Sequence, residues 1–397
     1  MNMDLPQRSD LAKYWQLDKD TVFLNHGSFG ATPIKILKKQ DTYRQIIEND
    51  PVKFFERDYF NYWKKSIISL SKFINADPEG LVFIPNATSG VNTVLKNLDM
   101  RPGDRIIVTD HTYQACRNIV DFVTKKVDAE TVVVEIPFNI KNEQEVIDLV
   151  LGSVCDRTVL ALIDTVTSPT GMKMPFEKII KKLDEENVDV LLDAAHGAGI
   201  VNLDIEKINA AYVTGNCHKW LCTPKGSAFL HVRADKKNNF RPLNISHGAS
   251  FKGSAQEKFE FEFSWPGTYD PTPWMCIPDS ISHMGNMVNG GWNEIMKRNT
   301  KLALKGRKIL CQELDIKAPF PDNMVSAIAS LELLDKEIPP FSIQGDPLHN
   351  KLLDEYAIQV PIFPWELHST RYIRISSQLY NHEEEYVYLA EALNECV

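Results

Sequence analysis

The stretch YVTGNCHKWLCTPKG, 212–226, sets Lys219 between His218 and Trp220, where a strand-like run gives way to a turn. A lysine at the margin of a core loses hydration and tends to lose its proton. It then either snorkels to the surface or serves as an amine that attacks a carbonyl. Other reactive side chains also follow apolar runs: Asp193 and His196 in DAAHG, Asp110, His111 and Tyr113 in DHTY, Asp164 in DTVTSPTG, and the hydroxyls of NATSG at 86–90. NATSGVNTVL has the composition of an anion cradle, a small turn opening into a helix whose free N–H groups and positive end attract negative charge. The same residues also make ordinary helix caps. Asp193 reads either as a cap or as an anion facing a cationic ring nitrogen.

These side chains need a scaffold that delivers them to one place. From about residue 64 to 235, helical stretches alternate with short β-branched runs such as GLVFIP, DRIIVTD, TVVVEIP, TVLALIDTV, DVLLDAA and GSAFLHV. Runs of that kind suit strands covered on both faces by helices, which predicts an α/β fold with a mainly parallel sheet. Ligands bind such sheets beyond the carboxyl ends of the strands, where all of the polar clusters fall. After residue 290 a long amphipathic helix, WNEIMKRNTKLALKGRKILCQEL, leads into the strand-like SAIASLEL, IQVPIF and RYIRISS and a closing helix, EEEYVYLAEAL. This predicts a smaller α+β domain over 291–397, a large domain over 61–290, and a segment 1–60 that contributes to the small domain and covers the active site.

Composition narrows the function. The chain has 397 residues, 43% of them hydrophobic, and a net charge of -9 with acids and bases interspersed. Such a surface has no basic stripe for nucleic acid and no polybasic patch for a membrane. The polar N-terminus is unlike a secretory signal, and no run reaches the roughly 18 apolar residues of a membrane span. A cytoplasmic enzyme is expected. The seven cysteines lack the spacing of a metal site or a CxxC redox pair, so no metal is expected. A nucleotide-binding reading fails because HGAGIVN has two of the three glycines that a dinucleotide loop needs.

An amine, a carboxylate one strand away, a hydroxyl-rich helix start and a ring at a further strand end are the parts that pyridoxal 5'-phosphate requires. With FLNHGSFGATP, NATSGVN, DHTYQAC, SPTG, DAAHG, GNCHKWL, SWPGTYDPTPW and RISSQLYN in this order, the chain resembles the class V aminotransferase family of fold type I pyridoxal-phosphate enzymes. The resemblance is closest to the isopenicillin N epimerase-like branch, which includes cysteine and cystine lyases, and it covers nearly the whole chain. It implies that Lys219 links the cofactor and moves the proton at the substrate α-carbon. Asp193 pairs with the pyridinium nitrogen, and His196 stands where relatives have a glutamine facing the ring oxygen. Thr88, with the backbone from Ala87 to Gly90, His218 and Asn216 hold the phosphate. His111 falls where the family stacks an aromatic ring on the cofactor, with Tyr113 the competing candidate; Ser168 replaces an asparagine of many relatives.

Gly267 and Thr268 resemble the loop that reaches the neighbouring subunit's phosphate, which implies a homodimer. Asn25 and His26 lie where relatives cover the substrate. Arg374 occupies the position that forks the carboxylate of an amino-acid substrate. Arg57 and Arg117 are better read as solvated or ion-paired. Cysteine desulfurases need a cysteine on the loop before that arginine, and none occurs from Ile338 to Arg374. Lyase chemistry and epimerisation stay open, the latter needing a second proton donor from among His111, Tyr113 and His26. The alternatives are a transaminase or desulfurase of the same family, or a relative that has lost catalysis.

Overall fold

The computed structural model describes residues 5–333, 346–365 and 370–396. A short strand, β1 (Val22–Phe23), precedes the main sheet and is separated from it by the helices Ile34–Asn49 and Tyr59–Ile74. The second helix buries Tyr59, Trp63, Ile67, Leu70 and Ile74, an apolar stripe at helical spacing, and stops where Asn75 turns left-handed at φ 43. The sheet strands follow as β2 (Leu81–Ile84), β3 (Arg105–Thr109), β4 (Glu130–Val134), β5 (Thr158–Asp164), β6 (Asp189–Ala194), β7 (Tyr212–Asn216) and β8 (Ala228–Val232).

Their spatial order is β2-β8-β7-β6-β5-β3-β4. Strands β4, β3, β5, β6 and β7 pair in parallel, whereas β8 runs antiparallel to both β7 and β2. Because β2 and β7 both oppose β8, they run the same way. The carboxyl ends of β2, β3, β5, β6 and β7 therefore emerge at one edge. Register sharpens this: Asp164 at the end of β5 stands directly beside Asp193 on β6.

The C-terminal part is built on the helix Gly291–Glu313, which packs against the closing helix Glu384–Cys396 and against β9 (Ile328–Leu333). After β10 (Ile358–Gln359), the strands β11 (Ile362–Trp365) and β12 (Thr370–Ser376) join β9 in an antiparallel sheet ordered β11-β12-β9. The N-terminal segment is sewn onto this unit. β1 pairs in parallel with β10, the Ser376 N–H donates to the Leu24 carbonyl at 2.9 Å, and the Gly27 N–H donates to Ser376 Oγ at 3.1 Å. Residues 25–28 thus lie beside Arg374 of β12. Among the described residues no helix is long and apolar enough to cross a membrane.

The helix Ala87–Asn97 starts at Asn86, whose side chain accepts from the Ser89 N–H, and lies directly across β7. Gly90 makes that approach possible, since a Cβ there would sit 2.0 Å from Thr214 Oγ1 and 2.7 Å from its Cβ. Gly90→Ala is expected to push the start of this helix off the sheet and to destabilise the fold by about 1–3 kcal/mol. Thermal unfolding reads the effect as a lowered midpoint; an unchanged midpoint contradicts the packing.

Candidate active site

Strand β7 ends in a single helical turn, Cys217–Trp220, which carries Lys219 at the sheet edge. The backbone of that turn is clamped from the N-terminal side. Gly30 (φ 71) lies so close that a Cβ would fall 2.2 Å from the His218 carbonyl. The His26 ring sits beneath the turn, with the Tyr380 hydroxyl donating to Nδ1 at 2.8 Å and Nε2–H donating to the Lys219 carbonyl at 2.9 Å. His26 is completely buried. The sequence places it against substrate; the structure places it under the lysine, because both nitrogens are taken up in holding the turn.

The Lys219 side chain is half-buried, with Nζ 3.1 Å from His196 Nε2. Burial, and next the positive charge of Arg374, bring its amine down to about 8, against the opposing pull of Asp193 and Cys116. His196 follows β6 and accepts from the Trp220 indole N–H through Nδ1 at 3.1 Å. Burial holds its imidazole neutral, well below the usual histidine range. Asp193 is buried too: Oδ1 accepts from the Ala195 N–H at 2.8 Å, while Oδ2 meets the Cys116 thiol at 3.5 Å. Burial raises its carboxyl, and it raises that of Asp164 further because Asp193 stands alongside.

At the mouth of the helix Ala87–Asn97, Asn216 Oδ1 accepts from the Ala87 N–H at 2.9 Å, tying the end of β7 to the helix start. The Ser89 N–H is committed to Asn86 at 2.9 Å. Thr88 is half-buried between them. His218 donates from Nδ1 to the Ser227 carbonyl at 2.9 Å, and burial lowers its imidazole to about 4. Gly267 and Thr268 project from the chain: a Cβ at Gly267 would meet nothing within 4 Å, and Thr268 is exposed.

Arg374 lies 1% exposed. Its guanidinium donates to the Ser168 carbonyl and to Ser28 Oγ at 2.9 Å, lies 3.5 Å from Asn25 Oδ1, and faces the Phe363 ring at 4.9 Å. Ser28 in turn donates to Asn25 at 2.5 Å. Among the described residues no carboxylate pairs with this cation, and burial lowers it to about 10. Tyr113, 45% exposed, stands just before the helix Gln114–Lys126 in the electrostatic surroundings of Arg374. His111 is fully buried, receiving the Thr170 hydroxyl at Nδ1 (2.6 Å) and donating Nε2–H to the Ile136 carbonyl (2.7 Å). Arg57 is exposed, and Arg117 pairs with Asp121 at 3.0 Å. Within the cysteine-free stretch 338–374, residues 338–345 and 366–369 lie outside the described residues. The nearby Cys217 and Cys222 are fully buried, and burial pushes each thiol up to about 12.

A mainly parallel sheet with a lysine and an aspartate at its carboxyl edge, and a buried arginine brought beside them by the smaller sheet, is the fold type I architecture of pyridoxal-phosphate enzymes. The chain belongs to the class V aminotransferases, whose family model matches residues 64–330, and pyridoxal phosphate is its cofactor. It is similar to a protein named probable L-cysteine desulfhydrase, chloroplastic, from Arabidopsis thaliana, at 29% identity over 95% of this chain and 83% of the relative. It is also similar to isopenicillin N epimerase of Streptomyces clavuligerus, at 25% identity over 95% of each chain. The apo structure of a cysteine desulfurase from Thermococcus onnurineus NA1 shares the fold, with a TM-score of 0.79 at 18% identity over 100% of this chain and 99% of that one.

Sequence reasoning missed Ser28, Cys116, Trp220, Phe363 and Tyr380. Trp220 adjoins Lys219 and was within reach of inspection; the others meet the site only through the fold. The Asp164–Asp193 contact has a measurable consequence. A carboxyl whose folded pKa is raised is most stabilising when protonated, so its contribution is full at low pH and is lost as pH rises through the raised value. Among the described residues Asp164 Oδ2 has no hydrogen-bond partner. In the cofactor-free chain Asp164→Asn is therefore expected to raise the unfolding midpoint at neutral pH and to leave it nearly unchanged near pH 4. A midpoint that shifts equally at both values argues against a buried carboxylate cost.

Proposed function

We propose that this chain is a carbon–sulfur lyase acting on cysteine or a close β-thio amino acid, converting cysteine and water to pyruvate, ammonia and hydrogen sulfide. The residues present fit the cofactor: a desolvated amine that can bond its carbonyl, a buried carboxylate with one oxygen engaged only by a thiol, and the mouth of a helix between β2 and β7. In this reading Lys219 would link the cofactor, Asp193 would pair with its ring nitrogen, and His196 Nε2–H would donate to its ring oxygen. Thr88, the Ala87 backbone, Asn216 and His218 would hold its phosphate, and His111 would stack on the ring. When bound, the cofactor draws off the electron pair left at the substrate α-carbon.

Arg374 then forks the substrate carboxylate, with Ser28 and Asn25 bracing its guanidinium and Tyr113 at the entrance. Among the described residues Arg374 has no carboxylate partner; a buried arginine so placed is costly until an anion arrives, and this supports an α-carboxylate as the arriving group. Lys219 Nζ takes the α-proton, as its lowered pKa equips it to do. The observation that carries elimination over epimerisation is the commitment of both nitrogens of His26 and of His111 to other partners. Neither can deliver a proton to the opposite face. Tyr113, exposed beside Arg374, is the group that would support epimerisation.

The Gly267–Thr268 loop, together with the neighbouring aromatic groove of Phe55, Tyr59 and Trp265, supports a homodimer in which that loop reaches the partner's phosphate. Seven free thiols fit the reducing cytoplasm.

Incubating the holoenzyme with cysteine in deuterated water tests the reading. Pyruvate and sulfide in equal amounts are expected, whereas racemised, α-deuterated cysteine without pyruvate would make Tyr113 a proton donor and the chain an epimerase. Arg374→Lys, which loses the fork, is expected to lower kcat/KM at least tenfold, mainly through KM. Asp193→Asn should slow α-proton exchange by about 10²–10³-fold, or ~2.7–4 kcal/mol, the scale of one preorganised electrostatic group. Unimpaired exchange would leave Asp193 a structural residue.

A further inference from the structure

The contacts around Lys219 leave little freedom in where protons sit. Trp220 Nε1 can only donate, and it points at His196 Nδ1 from 3.1 Å. Nδ1 must therefore be an acceptor, and a neutral imidazole then carries its hydrogen on Nε2. Nε2 faces Lys219 Nζ at 3.1 Å. An ammonium at Lys219 would bring two donors together, while a proton on His196 Nδ1 would collide with the indole N–H. Only a neutral amine that accepts from Nε2–H satisfies both contacts. We infer that Trp220 is a positioning residue that dictates the tautomer of His196 and through it keeps the Lys219 amine unprotonated.

The indole is itself immobilised. It is 1% exposed, packs with Val166, Ile200, Ala327 and Ile328, and lies 4.7 Å from the His26 ring centroid. Its own carbonyl is crowded by Gly199, where a Cβ would stand 2.7 Å away. The charged and titratable groups around Nζ divide. Arg374 from β12 opposes a second cation, Asp193 from β6 and Cys116 from the helix Gln114–Lys126 favour one, and His26 acts on His196 from the N-terminal segment. The tautomer is thus weighed against Asp193, whose charge favours the ammonium. It matters twice: the amine must be unprotonated to bond a carbonyl, and again to take up the α-proton. The inference rests on the reading of Lys219 as the reactive amine.

The test uses the full chain freed of cofactor, so that it does not depend on turnover. The pH dependence of Lys219 acetylation, followed by peptide mass spectrometry, gives the pKa of this one amine. In Trp220→Phe the imidazole is free to turn its acceptor toward Lys219. Labelling near pH 7.5 is expected to fall about tenfold, equivalent to a pKa higher by about one unit. His196→Gln in the presence of Trp220 should keep the wild-type profile, because the indole holds the amide oxygen and leaves the NH₂ facing Lys219. Combining Trp220→Phe with His196→Gln should lose it. A Trp220→Phe profile that overlays wild type overturns the inference. Should Trp220→Phe not fold, ¹⁵N-histidine NMR of the unmutated chain decides, with the His196 signals identified by their loss in His196→Gln. A protonated Nε2 with a bare Nδ1 is expected, and the opposite tautomer overturns the proposal. Failure of the cofactor to bond Lys219 would sink the functional reading and leave this tautomer result standing.

Discussion

The half-buried Lys219 amine and the buried Arg374 guanidinium share one electrostatic neighbourhood in which burial penalises charge, and two cations so placed cannot both be comfortable. Arginine keeps its charge over the whole physiological range, so the lysine is the group that gives way. Its surroundings are consistent with that outcome. His196 offers it a donor, His26 binds its carbonyl without adding charge, and Asp193 sits close enough to moderate the effect without forming an ion pair with it. An amine that gives up its proton at about 8, and not near the usual lysine value, is the reagent that carbonyl chemistry needs.

Arg374 accounts for much of what the second, smaller sheet contributes. Its partners are a carbonyl, a hydroxyl, an amide oxygen and an aromatic face, which orient a cation without neutralising it. They also come from different parts of the chain: Ser168 follows β5, Phe363 lies on β11, and Ser28 and Asn25 belong to the N-terminal segment that β1 anchors to β10. The reacting groups of the two sheets are thereby held in register by backbone pairing remote from the chemistry, between Val22 and Ile358. Gly30 and Gly90 are the points of closest approach, each allowing one layer to rest directly on another.

The fold was legible because each apolar run was locally β-branched and each was followed by polar residues, so the edge that gathers Lys219, Asp193, His111 and Asn86 could be read without knowing the pairing. The α+β character of the C-terminal part was visible in the change of period after residue 290. What could not be read were contacts between distant positions. His26 meets Tyr380 across 354 residues, and His111 meets Thr170 across 59. Nothing local marks either ring as occupied, and so both stood as proton donors until the fold closed around them. The reversed direction of β8 and the π-helical turn Phe54–Asp58 were also invisible, since a strand reads the same in both directions and one extra residue per turn leaves no compositional trace. That Arg374 meets no carboxylate among the described residues is a property of three dimensions altogether.

The account stands on Lys219 being the amine that the cofactor bonds. Borohydride reduction of the holoenzyme, followed by proteolysis and mass spectrometry, locates that bond directly. The account predicts one modified peptide, carrying the reduced pyridoxyl group on Lys219 alone. Modification at Lys225, the exposed lysine beyond Pro224, or a protein that binds the cofactor without any reducible bond, would contradict it.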